Sequence, residues 1–484
     1  MTQGRKDMTL HQNFIGGRFI PTDAGDRIDV FNPARDSKIS EIPDTTAEGV
    51  AEAVAAATAA QRAWEKLPPI QRAGHLRQIS AKIRDNAEEI ARVISEEQGK
   101  ILPLARVEAA FTADYIDYMA EWARRIEGEI LPSDRPGENI FLFRQPVGVV
   151  AGILPWNFPF FLIARKMAPA LITGNAIVIK PSEETPNNAA LFARLVTETD
   201  LPEGIFNIVY GRGATTGKAL TTNPDVRMVS FTGSVETGSR IMADAAQNIC
   251  KMNLELGGKA PAIVTADADL DLAARAITQS RVLNTGQVCN AAERVYVDRT
   301  VAAAFTEKLV AAMKAVRYGD PLASEDLDMG PIINRAGLDK IDTLVKSAIG
   351  GGAEAVLGGK PADLGAGSHY EPTVLVNCRQ DMEIIRKETF GPVLPIVEVD
   401  GLDEAIERAN DTTYGLTSSI YTTNIGAALR AANELRFGET YVNRENFEAM
   451  QGFHAGRGKS GIGGADGKHG LLEYTETHVV YIQN

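Results

Sequence analysis

The chain has 484 residues, 44% apolar and 23% charged, with a formal net charge of −13. That length exceeds what one hydrophobic core serves and predicts two or three domains of an ordinary globular protein. An acidic surface disfavours nucleic acid as a partner, since phosphate backbones want basic faces; it leaves room for a small anionic cofactor held by helix N-termini and a few lysines.

Residues 12–33 read as short strands and turns. An alanine-rich helical pattern covers 47–66, and two further helical stretches cover 70–98 and 104–127, parted by a turn at Gly99. Their apolar residues are assigned to core. A break rich in proline, glycine and charge at 132–137 precedes a strand at 139–144, expected in an extension rather than a main sheet. Strands and helices then alternate: strands at 149–154, 176–180, 206–210 and 228–231, helices at 160–170, 187–197, 217–221 and 234–246. Near-continuous apolar strands between helices predict an α/β fold with a parallel sheet covered on both faces. A second α/β series runs from about 260 to about 443. The tail from His478 reads as a strand without a visible partner, of the kind that pairs with a neighbouring subunit.

One of only three cysteines stands in NTGQVCNAAER at 284–294. Gly286 allows close backbone approach, and Asn284, Thr285, Gln287 and Asn290 surround Cys289 with the polar groups a reactive thiolate needs. The alternative for Cys289 is a small buried hydrophobe. Cys250, Cys289 and Cys378 are odd in number and far apart, which makes no disulfide framework and fits a reducing compartment. The six histidines are scattered and no metal site is expected. The start, MTQGRKD, leads into no apolar secretion signal, and no run approaches 18 apolar residues, so a cytoplasmic protein with no membrane span is expected.

LPWNFP at 154–159 lies at the carboxyl end of a parallel strand, where ligands bind in open α/β sheets. Asn157 offers an amide to an oxyanion or caps the next helix. Lys180 and Glu183, at the end of the next strand, are placed to bracket a ribose; a carboxylate there repels a 2′-phosphate and favours NAD over NADP. They are otherwise a solvated pair. The glycine loops at 211–217 and 231–238 each join a strand to a helix, and the amides of the second, with Ser234, suit a pyrophosphate; either is otherwise a plain turn. Glu255, among apolar residues and glycines in LELGGK at 254–259, suits a general base or is merely solvated.

Taken together, LPWNFP (154–159), KPSE (180–183), FTGS (231–234), LELGGK (254–259), GQVC (286–289) and ETFGP (388–392) resemble the aldehyde dehydrogenase superfamily, in its order and with its 34-residue step from Glu255 to Cys289. The resemblance implies a Rossmann-like NAD-binding domain at 1–126 and 147–254, a catalytic domain at 255–464, and a β oligomerisation extension at 127–146 and 465–484. It implies a homo-oligomer, a dimer of dimers. Its chemistry is attack of the Cys289 thiolate on an aldehyde, an oxyanion held by Asn157 and the Cys289 amide, hydride transfer to NAD, and hydrolysis of a thioester by water that Glu255 activates. Water rather than coenzyme A is the expected acyl acceptor. Lys180 and Glu183 are implied at the adenosine ribose, Ser234 at the pyrophosphate, Glu388 and Phe390 at the nicotinamide side, and Gly213 and Lys218 at the adenine end. Lys340 is implied nearby, although Gly337 replaces a common glutamine. The remaining cofactor contacts implied are Leu154, Pro155, Trp156, Ser182, Phe231, Gly233 and Leu256.

Three positions depart from the aromatic tunnel of many relatives: Arg165 stands where Trp is common, and Glu448 and His454 where Phe is common. With Asn290 they predict a polar aldehyde pocket, because burying such groups without a polar ligand is costly and a hydrogen-bonding site rejects analogues that lack the hydroxyl. The expected substrate is a small α-hydroxyaldehyde, lactaldehyde or glycolaldehyde. The wording at 445–470 and 112–124 also resembles the bacterial lactaldehyde/glycolaldehyde branch of the family. The alternatives are that Arg165 and Glu448 only pair with each other, that Arg165 grips the distal carboxylate of a succinate-semialdehyde-type substrate, or that the chain is an inactive structural or NAD-binding relative.

Overall fold

The computed structural model describes residues 9–21 and 26–484. The reading of the first seven residues as lacking a secretion signal, and the turn inside the early strands at 22–25, fall outside them.

An eight-stranded sheet runs in the order Gly461–Ile462, Lys251–Glu255, Val226–Thr232, Val149–Ile153, Ala176–Lys180, Phe206–Ile208, Asn13–Ile15 and Arg18–Ile20. The five strands from Lys251–Glu255 to Phe206–Ile208 are parallel, and the flanking strands are antiparallel. Val149–Ile153 and Ala176–Lys180 are buried at every position, as strands covered on both faces must be. The helix Ala47–Trp64, opened by Thr46 whose side chain accepts from the Gly49 amide, packs on these strands. The helix Pro159–Ile172 starts with proline at its first position and is buried along its whole length.

The second sheet has seven strands, in the order Glu354–Leu357, Thr373–Val376, Val393–Val399, Ala292–Asp298, Ala260–Val264, Thr417–Tyr421 and Glu439–Val442. Only its first pair is antiparallel. A third, antiparallel sheet orders Thr475–Gln483, Glu138–Pro146 and Glu129–Leu131. The terminal strand therefore has a partner in its own chain, matched residue for residue from Thr475 opposite Pro146 to Gln483 opposite Glu138.

Two helical readings need correction. The stretch at 70–98 is two helices, Pro69–Asp85 and Ala87–Gln98, broken at Asn86, whose backbone leaves the helical region. The helix from Leu102 ends at Ala120 and tightens into a 3-10 turn over Glu121–Arg124. Gly99 does end its helix, with a left-handed φ of 78°. Among the described residues no helix is long and apolar enough to cross a membrane, and no group of three or more His, Cys, Asp or Glu is placed to hold a metal.

Candidate active site

The carboxyl ends of the first sheet's strands face the segment that leads into Ala292–Asp298, and a cavity opens between them. Cys289, Asn157, Glu255, Arg165, Asn290, Glu448 and His454 all line it. So do Pro155, Trp156, Gly233, Ser234, Leu256, Lys340, Glu388 and Phe390.

The loop before Cys289 is bent by three successive left-handed residues, Asn284 (φ 48°), Thr285 (φ 61°) and Gly286 (φ 75°). A β-carbon on Gly286 would lie 2.4 Å from the Gly391 carbonyl. Side chains fasten the loop: Gln287 donates to the Pro331 carbonyl (3.2 Å) and accepts from the Ile333 amide (2.9 Å). Arg281 donates to the carbonyls of Gly286 and, at 3.0 Å, Ala292. Asn157 reaches across from the other sheet and donates to the Gln287 carbonyl (3.0 Å). Its own carbonyl accepts from Lys100 (2.8 Å) and Asn284 (3.0 Å). Lys100 is buried against Glu108, which caps the next helix by accepting from the Phe160 and Phe161 amides.

Glu255 ends its strand, and the glycines after it let the two halves meet: a β-carbon on Gly258 would sit 2.4 Å from the Cys289 carbonyl. The Glu255 carboxylate is buried, and neither oxygen hydrogen-bonds within the chain. Burial pushes it up to about 7 against the pull of His454, Arg165 and Lys166. That value suits a base working near neutral pH.

On the far side of the thiol, Glu388 accepts from the Gly258 amide (2.8 Å), and Trp156 meets Phe390 edge-on at 5.5 Å. The segment bearing Glu388 and Phe390 hangs on Glu293, whose carboxylate accepts from the Thr389 (2.9 Å) and Phe390 (2.8 Å) amides. Glu293 also pairs with Lys259 (2.6 Å) and Arg281 (3.2 Å), all three fully buried. Burial alone would raise its pKa; the two cations outweigh it, lower it to about 2 and keep Glu293 ionised.

The polar wall is one connected network. The buried Arg165 forks onto Asp466, with Nε to Oδ1 at 3.0 Å and a second, shorter contact, and its Nη1 lies 3.5 Å from Glu448. Asn290 donates to the other Glu448 oxygen. Asp466 has φ 70° and ψ 164°, a region that residues with a β-carbon rarely enter. His454 Nδ1 lies 2.6 Å from Glu439 and its Nε2 3.6 Å from Glu255.

The pattern of the aldehyde dehydrogenase family matches residues 19–480. This chain belongs to the aldehyde dehydrogenase family. It is 60% identical to the lactaldehyde dehydrogenase of Escherichia coli K12, over 98% of this chain and 99% of that one. The crystal structure of lactaldehyde dehydrogenase from Escherichia coli superposes with a TM-score of 0.97, covering 99% of this chain and 100% of that one at 60% identity. Betaine aldehyde dehydrogenase from Staphylococcus aureus, solved in complex with NAD+, superposes with a TM-score of 0.95 at 33% identity, covering 98% and 95%. This aldehyde dehydrogenase thus acts on an aldehyde with a nicotinamide dinucleotide.

Not every residue singled out in the sequence lines this enzyme's cavity. Lys180, Glu183 and Gly213 form a second cluster: Lys180 Nζ is 3.2 Å from Glu183, which also accepts from the Gly213 amide at 3.4 Å. Ser182 lies in the same turn and accepts from the Glu184 amide. Leu154 and Phe231 are buried behind the lining. Lys218 is exposed at the start of the short helix Lys218–Thr221. The aldehyde dehydrogenase also has site residues that sequence reasoning missed: Asp466, Glu439, Glu293, Lys259, Arg281 and the buried Lys166. The local signals were that Lys259 and Glu293 stand inside the strings at 254–259 and 284–294, and Asp466 inside the glycine-rich GIGGADG at 461–467.

Proposed function

We propose that this aldehyde dehydrogenase oxidises small α-hydroxyaldehydes, lactaldehyde and glycolaldehyde, to their carboxylic acids with NAD. One observation carries the choice of substrate: Arg165, Asn290, Glu448 and His454 line the same cavity as Cys289, and the Arg165 charge is already matched by Asp466 and Glu448. A neutral, hydroxylated aldehyde meets hydrogen-bonding groups there. The distal carboxylate of a semialdehyde meets Glu448, a like charge. The 60% identity to a protein named lactaldehyde dehydrogenase supports the same reading.

In the proposed mechanism Cys289 Sγ attacks the aldehyde carbonyl. The Asn157 amide and the Cys289 backbone N–H hold the resulting oxyanion, with Asn157 oriented by its bond to the Gln287 carbonyl. A nicotinamide held beside Cys289 by Glu388 and Phe390 would supply the hydride acceptor for this step. Glu255 then removes a proton from the water that cleaves the Cys289 thioester. The residues fit the dinucleotide. Lys180 and Glu183 make a donor–acceptor pair at a strand end, matched to vicinal ribose hydroxyls, and the Glu183 carboxylate favours NAD over NADP. Ser234 caps the helix Val235–Ala245, whose N-terminus suits a pyrophosphate. Pro155, Trp156, Ser182, Gly213, Gly233 and Leu256 build the walls of this path, backed by the buried Leu154 and Phe231. Glu388, Phe390 and Lys340 lie at its nicotinamide end, and Lys218 at the adenine end.

We further infer a cofactor domain at 1–126 and 147–254, a catalytic domain at 255–464 and an extension at 127–146 with 465–484. The strand Gly461–Ile462 crosses that division, since it joins the edge of the first sheet. A dimer of dimers is supported by the extension's exposed apolar residues, among them Ile130 (74%) and Tyr481 (62%). A reducing, cytoplasmic setting is supported by three unpaired cysteines.

The test is NADH or NADPH formation on glycolaldehyde, L-lactaldehyde, succinate semialdehyde, propanal and benzaldehyde. The expected result is a kcat/KM that peaks on the two hydroxyaldehydes with NAD. A lead for succinate semialdehyde would make Arg165 a carboxylate clamp, and no turnover on any aldehyde would favour an inactive relative.

A further inference from the structure

We propose that Lys100 is a positioning residue for the oxyanion hole: paired with Glu108, it holds the Asn157 peptide from behind and so aims the Asn157 amide at the oxygen of the attacked carbonyl. This rests on the reading of Asn157 as the oxyanion donor and names the group that sets its place.

Asn157 stands where regular structure does not hold it. The parallel strand ends at Ile153 and the next helix starts at Pro159. Pro155 and Pro159, two residues away on either side, bring no amide hydrogen. The side chain is oriented by two bonds: Oδ1 accepts from the Phe158 amide (3.1 Å), and Nδ2 donates to the Gln287 carbonyl (3.0 Å). The second hydrogen on Nδ2 is left for an oxyanion. These bonds fix the carboxamide relative to its own backbone and to the nucleophile loop. The backbone itself is placed through the Asn157 carbonyl, which accepts from Lys100 Nζ (2.8 Å) and from Asn284 (3.0 Å).

Lys100 reaches this carbonyl from the turn between Gly99, which ends one helix, and Leu102, which starts the next. Its ammonium lies 3.6 Å from the centre of the Phe158 ring and is neutralised by Glu108, both side chains being fully buried. The other Glu108 oxygen accepts from the Phe160 (3.0 Å) and Phe161 (3.1 Å) amides, which the first turn of the helix Pro159–Ile172 leaves without helical partners. One ion pair thus grips the corner on both sides of Phe158: Lys100 takes the acceptor end and Glu108 the donor end. Bonds to charged groups are shorter and stronger than neutral ones. A buried ion pair is by itself a poor source of stability, because desolvating two ions offsets their attraction. What this one secures is a location. An oxyanion donor depends on location, since a misplacement of about 1 Å lowers rates by about a hundredfold. Lys100 is not among the residues that line the cavity, so it acts through Asn157 and not on the substrate.

The test is a double-mutant cycle in the full-length enzyme. It reads kcat/KM at saturating NAD for whichever aldehyde of the panel is turned over best, expressed per cofactor site titrated by NADH fluorescence. Asn157→Ala is expected to lower it by about 100- to 1,000-fold, and Lys100→Met by about 10- to 100-fold. In the Asn157→Ala background Lys100→Met should lower it by less than about threefold more, because the group that Lys100 positions is already gone. A merely structural role would reduce the number of cofactor sites and leave the rate per site unchanged. A Lys100→Met rate per site within about threefold of wild type would overturn the proposal, and so would losses that multiply when the two substitutions are combined. Should Lys100→Met fail to fold, Lys100→Met together with Glu108→Gln leaves no unpaired buried charge, keeps an acceptor for the Phe160 and Phe161 amides, and is judged by the same criteria. Full activity in Asn157→Ala would instead refute the oxyanion reading itself, whichever way Lys100→Met behaves.

Discussion

Replacing Glu448 by Gln should turn the pocket toward carboxylated aldehydes. In the wild type one Glu448 oxygen lies 3.5 Å from Arg165 Nη1 and the other accepts from Asn290. Glutamine keeps the shape and an acceptor for Asn290, but removes the negative charge. A distal carboxylate drawn toward Arg165 would otherwise stand about 5 Å from Glu448, where two like charges repel by about 3 kcal/mol at an effective dielectric of about 20. Removing that repulsion corresponds to roughly a hundredfold rise in relative specificity. The assay is kcat/KM for succinate semialdehyde and for L-lactaldehyde, each at saturating NAD. The ratio of the two should shift toward the semialdehyde by about 10- to 100-fold, with lactaldehyde falling because its hydroxyl loses a charged acceptor. Asp466 still neutralises Arg165 in part, which sets the lower bound. A ratio unchanged within threefold would show that Glu448 does not exclude carboxylates, and the electrostatic basis of the substrate choice would fall with it.

Replacing Arg165 by Met should raise KM for α-hydroxyaldehydes far more than for propanal; equal effects on both would exclude recognition through Arg165. Glu255→Gln should keep a first burst of NADH while lowering steady-state turnover by about 100-fold or more, and stopped-flow absorbance separates the two. Because Glu255 titrates at about 7 in the folded enzyme, wild-type hydrolysis should weaken below that pH and level off above it. The same raised value means that its contribution to stability is present below the ordinary carboxyl range and is lost as pH rises through about 7; melting of wild type against Glu255→Gln should diverge in that window, by of order 3 kcal/mol. Glu183→Ser should raise kcat/KM with NADP relative to NAD by about tenfold, since the carboxylate that repels a 2′-phosphate is gone. Removing residues 475–484 should yield smaller assemblies by light scattering, with Phe143 left without its sheet partner His478.

Asn157 and Glu255 were legible as cavity residues because each sits in a short string at the carboxyl end of a parallel strand, and Cys289 because polar groups surround it just before the strand Ala292–Asp298. The strands at 149–153 and 176–180 were legible for a similar reason: uninterrupted apolar runs between helices leave few alternatives. Asn86 was passed over although Glu88 and Glu89 follow it in the first turn of a new helix, a start signal masked by continuous helical periodicity. Asp466 was beyond reach for another reason. Its meaning lies in Arg165, 301 positions away, and nothing within its glycine-rich segment names that partner. Glu439 opens a strand and reads as an ordinary solvated carboxylate until the fold brings His454 against it. Charged groups that satisfy one another over long separations carry no periodicity, so only the assembled fold pairs them.

The buried Glu293 has a mechanical consequence. Through Arg281 it grips the backbone that aims the thiol, and through the Thr389 and Phe390 amides it carries the strap on the cofactor side. In the proposed mechanism the two halves of the reaction are thus bolted to one carboxylate, so thermal motion would displace them together and the gap between sulfur and hydride acceptor would be set once, when the protein folds. Heating should therefore not yield an enzyme that still grips its cofactor while the nucleophile loop hangs loose; both should fail at one temperature.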